Sequence, residues 1–184
     1  MTGEPRTYAV DDPESALKYA IQQMENDHVQ IVEGRISALS SSWDHEHTKD
    51  AIRRQIRPAL RRLSLCAGSG DLDLPGSPNW YVPDIAVVPT PLTENAGALL
   101  PGRTLLIVEV TSHGEEDTDR ITKRRRYAEY GAPLYLLVDR QERSCTLFSE
   151  PGELGYTKAD GPRPFGTPVR LPEPFELDLD TSEF

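Results

Sequence analysis

The sequence predicts an α/β protein, because strand-length apolar runs alternate along it with stretches of helical periodicity. Residues 81–88 and 105–112 are aliphatic and β-branched runs of strand length. Residues 45–63 instead carry apolar side chains at intervals of three and four. A chain of 184 residues is long enough for one hydrophobic core. We therefore expect a single domain over residues 1–184, with its core at about residues 29–150.

The first third of the chain is predicted to contain two helices separated by a β-hairpin. Residues 1–12 are polar and are expected to be poorly ordered, and the first helix covers residues 13–26. The hairpin covers residues 29–39 and turns at Glu33-Gly34. Pro58 is expected to end or kink the second helix, because it lacks the N–H that the helix needs there.

After the second helix, the pattern predicts mainly strands connected by turns rich in glycine and proline. One further helix is expected to begin with an acidic cap at residues 113–117 and to end at Gly131. A two-residue turn at Gln141-Glu142 is predicted between two antiparallel strands. The other predicted strands cover residues 63–66, 71–74, 134–140, 143–149, 167–171 and 175–180, with loops at 89–102 and 150–166.

Charge is segregated along the chain. The net charge of −10 argues against non-specific coating of nucleic acid, which needs many basic side chains. Residues 49–62 nevertheless hold six basic side chains against Asp50, whereas residues 168–184 form an acidic C-terminal segment. Four arginines of the second helix share one polar face: Arg53, Arg54, Arg57 and Arg61. Such a face is either solvated or binds phosphates or the acids of a partner.

Several classes of protein are excluded by the sequence pattern. The apolar stretches fall far short of the ~20 residues needed to cross a bilayer. Residues 1–4 lack the basic and apolar regions of a signal peptide, so we expect a cytoplasmic protein with no membrane partner. Cys66 and Cys145 are expected to be core thiols in a reducing compartment, and neither His45 nor His47 has zinc-ligand spacing to them.

Each of the two apolar runs contains one carboxylate. Asp84 lies in the first run and Glu109 in the second. A buried carboxylate without a partner or a metal costs several kcal/mol. Asp84 follows Pro83 and could instead cap a turn, and Glu109 could instead form a buried ion pair with Lys123. Taken together, two such strands in succession predict a site.

The predicted helix that follows carries a polar stripe. Asp119, Lys123 and Tyr127 lie at i, i+4 and i+8, and the short connection from Thr111 packs this stripe near the end of the Glu109 strand. Simpler explanations exist for each residue: Asp119 pairs with Lys123, Lys123 belongs to a solvated basic run, and Tyr127 belongs to the core. If the stripe is functional, Asp84, Glu109 and Lys123 converge.

These residue types suit metal-assisted hydrolysis of a phosphodiester. The carboxylates of Asp84 and Glu109, together with the main-chain carbonyl of Val110, offer the hard oxygen ligands that Mg²⁺ prefers. A bound metal lowers the pKa of its water and stabilises charge on the phosphodiester. The ammonium of Lys123 would hold the nucleophile or the developing negative charge.

An ordered string of motifs supports the same chemistry. Pro83-Asp84 is followed by Glu109-Val110-Thr111-Ser112, then by Asp119, Lys123 and Tyr127, and then by Gly131-Ala132-Pro133-Leu134-Tyr135-Leu136-Leu137-Val138-Asp139. The string resembles the Uma-two family of bacterial restriction-endonuclease-like proteins, which belongs to the PD-(D/E)XK nuclease superfamily. The resemblance covers about residues 29–140 and is strongest over residues 83–139.

The resemblance implies a restriction-endonuclease-like core, with a mixed β-sheet flanked by helices, and Asp84 and Glu109 as metal ligands. In most of the superfamily a lysine lies two residues after the second acid, where this chain has Thr111. Lys123 matches the relocated lysine of the Uma-two family. Glu33 matches an acid before a glycine, which implies an accessory role, although Arg35 departs from the family pattern. His47 matches a recurrent histidine without an assigned role.

Our first hypothesis is a Mg²⁺-dependent endonuclease, also able to use Mn²⁺, that cleaves DNA with Asp84, Glu109 and Lys123. The arginine face of the second helix would guide the phosphate backbone, and a homodimer is expected on symmetry grounds if both strands are cut. The alternative is a non-catalytic module of the same fold that binds nucleic acid or a protein. An open pocket around the three residues favours the enzyme, and a sealed ion pair at Glu109 favours the module.

Overall fold

The computed structural model describes residues 13–23, 29–39, 41–94, 97–111 and 118–184. The helices are α1 (Pro13–Gln22), α2 (Trp43–Leu63) and α3 (Arg124–Glu129), with a π-helical turn at Thr118–Lys123 and 3₁₀ turns at Thr90–Leu92 and Pro101–Arg103. The strands are β1 (Val29–Val32), β2 (Arg35–Ala38), β3 (Leu65–Gly68), β4 (Leu72–Leu74), β5 (Asn79–Tyr81), β6 (Ile85–Pro89), β7 (Leu106–Val110), β8 (Leu134–Asp139), β9 (Ser144–Gly152), β10 (Gly155–Pro164), β11 (Val169–Leu171) and β12 (Leu177–Leu179).

The central element is a six-stranded mixed sheet with the strand order β10-β9-β8-β7-β6-β3. Strands β7 and β8 are parallel, and the other neighbouring pairs are antiparallel. A parallel pair needs a crossover connection, which here contains the π-helical turn and α3. The predicted fold class, a mixed sheet flanked by helices, is confirmed.

A second, four-stranded antiparallel sheet has the order β2-β1-β5-β4. It contains the predicted hairpin, in which Val32 pairs with Arg35 across a two-residue turn. Glu33 and Gly34 in this turn have φ values of 47° and 74°. Positive φ at both central residues is the geometry of a type I′ turn, whose twist matches that of the flanking strands. Strands β11 and β12 form a separate two-stranded sheet.

The two faces of β7 pack against different layers, as its alternation predicts. Leu106, Val108 and Val110 belong to a cluster with the apolar stripe of α2. Ile107 belongs to a second cluster with Tyr127 near the start of α3. Glu109 follows Ile107 by two residues and therefore lies on the Tyr127 face. Because of this alternation, the Glu109 carboxylate lies in the protein interior.

Helix α2 begins and ends with identifiable caps. The Ser42 hydroxyl accepts a hydrogen bond from the backbone N–H of His45 at 3.3 Å, and Ser64 adopts the left-handed conformation after the last turn. The helix continues through Pro58 to Leu63, the end predicted from its apolar spacing, so of the two effects expected of Pro58 the structure shows no end of the helix there. Pro58 is exposed on its outer face.

Two predictions about the strands are wrong, namely the single strand over residues 81–88 and the length of the turn after β8. The run over residues 81–88 is not one strand, because Tyr81 ends β5 in the four-stranded sheet and β6 begins only at Ile85. The turn after β8 contains four residues rather than two, since Asp139 pairs with Ser144. The aspartate at the end of β8 accepts from the backbone N–H of Glu142 at 3.0 Å and so stabilises this wider turn.

The C-terminal third contains more structure than predicted. The predicted loop at 150–166 contains β10, which pairs along β9 with an irregularity between Asp160 and Arg163. The main hydrophobic cluster also includes Val169, Leu171, Phe175 and Leu179, so the core extends beyond residue 150. The acidic C-terminal segment is thus packed through its alternating apolar side chains.

Three predictions fall outside the described residues. They are the poor order of residues 1–12, the end of the first helix at 24–26, and the acidic cap at 113–117. Within the described ranges, no helix is long and apolar enough to cross a membrane. Cys66 and Cys145 are both free thiols, and Cys145 is buried.

Asp139 at the end of β8 gives a prediction about acid stability. Arg120 in the π-helical turn donates from Nε at 2.6 Å and from Nη2 at 2.8 Å to its carboxylate. Desolvation raises the pKa of Asp139, but the hydrogen bond from Arg120 and the N–H of Glu142 outweigh it and hold this pKa below 3.8. Because the folded-state pKa is lowered, the stabilisation is present above pH ~4 and is lost as the pH falls through the folded-state pKa.

We therefore expect Asp139→Asn to lower the free energy of unfolding by about 2 kcal/mol at pH 7, with the difference from wild type shrinking below pH ~4. Urea unfolding between pH 2.5 and 7 measures this dependence. The matched control is Asp178→Asn, which changes an aspartate that is 62% exposed and paired with Arg170. An equal effect of both substitutions, or one that does not change with pH, would contradict the assignment.

Candidate active site

The site begins where β6 separates from β7. Ile85 pairs with Val108, so continuation of the same register would place Pro83 opposite Val110. Proline has no N–H to give to the ladder, and the pairing ends there. The N–H of Val110 instead donates to Asp84 Oδ2 at 2.7 Å. The carboxylate of Asp84 thus takes the place of a main-chain acceptor at this edge, and the missing N–H of Pro83 leaves the Val110 carbonyl without a main-chain donor from this side, where His45 Nε2 contacts it at 3.0 Å.

Glu109 lies directly beside this break and is only 2% exposed. Its Oε1 atom accepts from Lys123 Nζ at 3.1 Å and from the Tyr127 hydroxyl at 2.6 Å. Its Oε2 atom accepts from the backbone N–H of Asp84 at 3.3 Å. The carboxylate is thus hydrogen-bonded on both oxygens.

Lys123 has two carboxylate partners and is 3% exposed. Besides Glu109, it contacts Asp119 Oδ1 at 3.3 Å. Asp119, Lys123 and Tyr127 therefore form the predicted stripe, and the stripe faces Glu109. The simpler explanations given for these residues are also realised, because Asp119 pairs with Lys123 and Tyr127 is fully buried.

Burial governs the ionisation of this group. Desolvation and the negative charges of Asp119 and Asp84 raise the pKa of Glu109, whereas Lys123 and the hydrogen bond from Tyr127 act to lower it. For Lys123, desolvation lowers the pKa, but Glu109, Asp119 and Asp84 outweigh it and raise the pKa above its ordinary value. Lys123 is therefore a charged ammonium in the interior.

Helix α2 supplies a second polar stripe, which faces Asp84. His45 Nε2 lies 3.1 Å from Asp84 Oδ2, and Lys49 Nζ lies 3.6 Å from Asp84 Oδ1. Arg53 donates to the main-chain oxygen of Asp84 at 3.2 Å. Although desolvation raises the pKa of Asp84, the contacts with His45 and the Val110 N–H lower it below its usual value.

The histidine at the site is His45, whereas the family resemblance pointed to His47. His45 is 4% exposed, and His47 is exposed on the outer side of α2. The sequence contained a signal for this, since His45 continues the helical spacing of the buried residues Ile52 and Ile56. Lys49 lies on the same side and was also missed.

The other predicted accessory residues lie away from the Asp84–Glu109 group. Glu33 pairs with Arg126, which donates from Nε and Nη2 at 2.8 Å each, and it also accepts from Asn79. Arg54 contacts Asp50 and Glu183. Only Arg53 of the four arginines contacts Asp84, while Arg57 and Arg61 are exposed on the surface of α2.

The donor atoms at this edge fit a hard divalent cation. The carboxylate of Asp84 and the carbonyl of Val110 both contact His45 Nε2, at 3.1 and 3.0 Å, and the carboxylate of Glu109 accepts from the backbone N–H of Asp84. Mg²⁺ uses one or two protein carboxylates and retains several waters, so a complete protein cage is unnecessary. Among the described residues, no three His, Cys, Asp or Glu side chains form such a cage by themselves.

Access to the site is from the Asp84 side. The Asp84 side chain is 16% exposed, compared with 3% for that of Glu109. A neighbouring cavity of about 330 Å³ is lined by Ser69, whose hydroxyl donates to the main-chain oxygen of Asp84 at 2.7 Å, but its lining includes neither Asp84 nor Glu109. Glu109 therefore lies beneath Asp84 rather than in an open cleft.

A mixed sheet with helices on its faces and an acid pair where two central strands separate defines a restriction-endonuclease-like fold. A family model described as Uma2, "Putative restriction endonuclease", matches residues 14–182, and the chain belongs to this family. The resemblance seen in the sequence is thus confirmed.

A similar solved structure is that of a putative nuclease belonging to DUF820 from Anabaena variabilis ATCC 29413. The TM-score is 0.69 at 17% identity, over 91% of this chain and 95% of that chain. At this identity the likeness concerns the fold. A search of curated proteins found no match.

The buried lysine gives a prediction about stability. We expect Lys123→Met, which keeps most of the side-chain volume, to lower the free energy of unfolding at pH 7 by about 3–5 kcal/mol, because Glu109 and Asp119 lose their shared counter-charge. Chemical denaturation measures the change. The control is Arg125→Met, an exposed position in the same basic run. We also expect the double variant Lys123→Met with Glu109→Gln to recover part of the lost stability. Equal effects of the substitutions at positions 123 and 125 would contradict the buried ion pair.

Proposed function

We propose that this chain is a metal-dependent nuclease that hydrolyses DNA phosphodiester bonds at the Asp84–Glu109 pair. The observation that carries the proposal is the convergence of two carboxylates with the Val110 carbonyl, at the point where β6 leaves β7. Oxygen donors of this kind suit Mg²⁺ or Mn²⁺. Membership of a family described as restriction endonucleases supports the reaction class.

The side chains around the pair have separable tasks in this mechanism. Asp84, Glu109 and the Val110 carbonyl would hold the ion, which would supply Lewis-acid activation of the phosphodiester and of a water. Lys123 and Tyr127 fix the carboxylate of Glu109 through its Oε1 atom. A buried ammonium at this distance favours the ionised carboxylate, which is the form that binds metal.

The cations of α2 suit the approach of the substrate. Lys49 Nζ lies 3.6 Å from Asp84 Oδ1 and Arg53 donates to the main-chain oxygen of Asp84, so both cations would lie near a phosphate held at Asp84. Their charge attracts the phosphodiester despite the net charge of −10, because the field near the site depends on neighbouring groups more than on the total. The exposed Arg57 and Arg61 would extend this basic path along α2.

A second candidate function is that of a non-catalytic module with the same fold. The observation that favours it is the complete hydrogen bonding of Glu109, which Lys123, Tyr127 and the backbone of Asp84 satisfy without a metal. A protein of this kind would bind nucleic acid or a protein partner and would retain the acid–lysine group for stability alone.

Cleavage assays separate the two functions. The substrates are supercoiled plasmid, duplex oligonucleotides and single-stranded oligonucleotides, each with Mg²⁺ or Mn²⁺. We expect the wild type to cleave, and the cleavage rate to fall about 10³-fold in Asp84→Asn and in Glu109→Gln, because each substitution removes charge that holds the ion. Gel electrophoresis of the products measures the rates. Asp50→Asn, an exposed acid of α2, is the matched control.

Two results would contradict the nuclease proposal or its site. Persistence of cleavage in both site variants would place the reaction elsewhere. Absence of cleavage on every substrate, together with no heat of Mg²⁺ or Mn²⁺ binding in calorimetry, would favour the non-catalytic module.

A further inference from the structure

His45 occupies an unusual position between the two oxygens assigned to the metal. Its Nε2 atom lies 3.1 Å from Asp84 Oδ2 and 3.0 Å from the Val110 carbonyl oxygen. Both oxygens only accept hydrogen bonds, so Nε2 carries the proton when no ion is bound. The other ring nitrogen, Nδ1, is buried and has no hydrogen-bond partner among the described residues.

These spacings match those of neighbouring ligands on one ion. Two ligands about 2.1 Å from an octahedral metal and at right angles to each other are separated by about 3.0 Å. His45 Nε2 has this separation from a carboxylate oxygen on one side and from a carbonyl oxygen on the other. The imidazole therefore faces the position that an ion bound to both oxygens would take.

We propose that His45 Nε2 is a ligand of the metal together with Asp84 Oδ2 and the Val110 carbonyl, and that the site prefers Mn²⁺ to Mg²⁺. The inference rests on the proposed nuclease function and adds both a ligand and a metal preference to it. Imidazole nitrogen favours first-row transition ions, whereas Mg²⁺ is bound mainly by oxygen. A site with one imidazole ligand thus discriminates between the two ions.

The surroundings of Nδ1 agree with a change of tautomer on metal binding. A ligating Nε2 must lose its proton, and in a neutral ring the proton is then carried by Nδ1. Glu46 Oε1 lies 3.9 Å from Nδ1, on the side away from Asp84. Metal-bound histidines commonly donate their second N–H to a carboxylate. Glu46 Oε1, which already accepts from Lys49 Nζ at 2.8 Å, is therefore placed to accept a hydrogen bond from Nδ1–H of the metal-bound tautomer after a small movement of its side chain.

The packing of α2 holds the ring in place. The backbone N–H of His45 donates to the Ser42 hydroxyl in the first turn of the helix, and the next residues on the same face enter the core. His47 is two residues away on the exposed side of the same helix and serves as the matched control.

The experiment uses Mn²⁺ bound to the full chain and detects the ligand directly. Electron spin-echo modulation of the bound Mn²⁺ is expected to show coupling to ¹⁴N in the wild type and in His47→Ala. The coupling is expected to be absent in His45→Gln, which keeps an N–H donor but has no imidazole. Calorimetry is expected to show Mn²⁺ affinity reduced by at least about tenfold in His45→Gln, with a smaller change for Mg²⁺.

The outcomes distinguish this inference from the function on which it rests. Mn²⁺ bound to the wild type without ¹⁴N coupling, or coupling retained in His45→Gln, would overturn the assignment of His45 and leave the carboxylate site intact. Failure of the wild type to bind either ion would overturn both proposals. The wild-type spectrum can overturn the assignment by itself, so the test does not depend on the folding of the variant.

Discussion

The burial of Glu109 against Lys123 is the interaction on which the rest of the site depends. A carboxylate that is 2% exposed is compatible with folding only if nearby groups replace the water it loses. Lys123, Tyr127 and the backbone N–H of Asp84 together do this, and they come from the π-helical turn, from α3 and from the residue before β6. The ion pair therefore fixes the π-helical turn and α3 against the sheet, and it also fixes the start of β6.

The separation of β6 from β7 at Pro83 converts a regular sheet edge into a site. Without a proline N–H, the Val110 carbonyl is left for a side chain, His45, while the Val110 N–H donates to the Asp84 carboxylate. The same break redirects the chain, since Tyr81 before it belongs to the four-stranded sheet and Ile85 after it belongs to the six-stranded sheet. Pro83 thus accounts for the Val110 carbonyl that lacks a main-chain donor, and it marks the point where the chain passes from the four-stranded sheet to the six-stranded sheet.

The sequence predicted the parts of the fold that follow a clear period. The alternation of β7, the Asp119–Lys123–Tyr127 stripe and the Glu33-Gly34 turn all depend on local geometry and are present in the structure. The division of residues 81–88 was missed because the aliphatic character continues across Pro83 while the hydrogen-bond pairing does not. Strand β10 was missed because it is largely exposed and contains glycine and proline, and only its pairing with β9 defines it. To choose His45 over His47, one has to follow the face of α2 that packs against the core back to the first turn of the helix.

The two polar stripes compensate the two carboxylates in different ways. Glu109 is compensated from the interior by a lysine that is 3% exposed, so its hydrogen bonding does not depend on a metal. Asp84, whose side chain is 16% exposed, is compensated by His45, Lys49 and Arg53, and under the proposed function a cation would replace a hydrogen-bond donor there without leaving a buried charge alone. The buried contacts of Glu109 therefore serve mainly stability, and under the proposed function any exchange of ligands would occur at Asp84. This division would allow Glu109 to be sealed and still to belong to the proposed metal site.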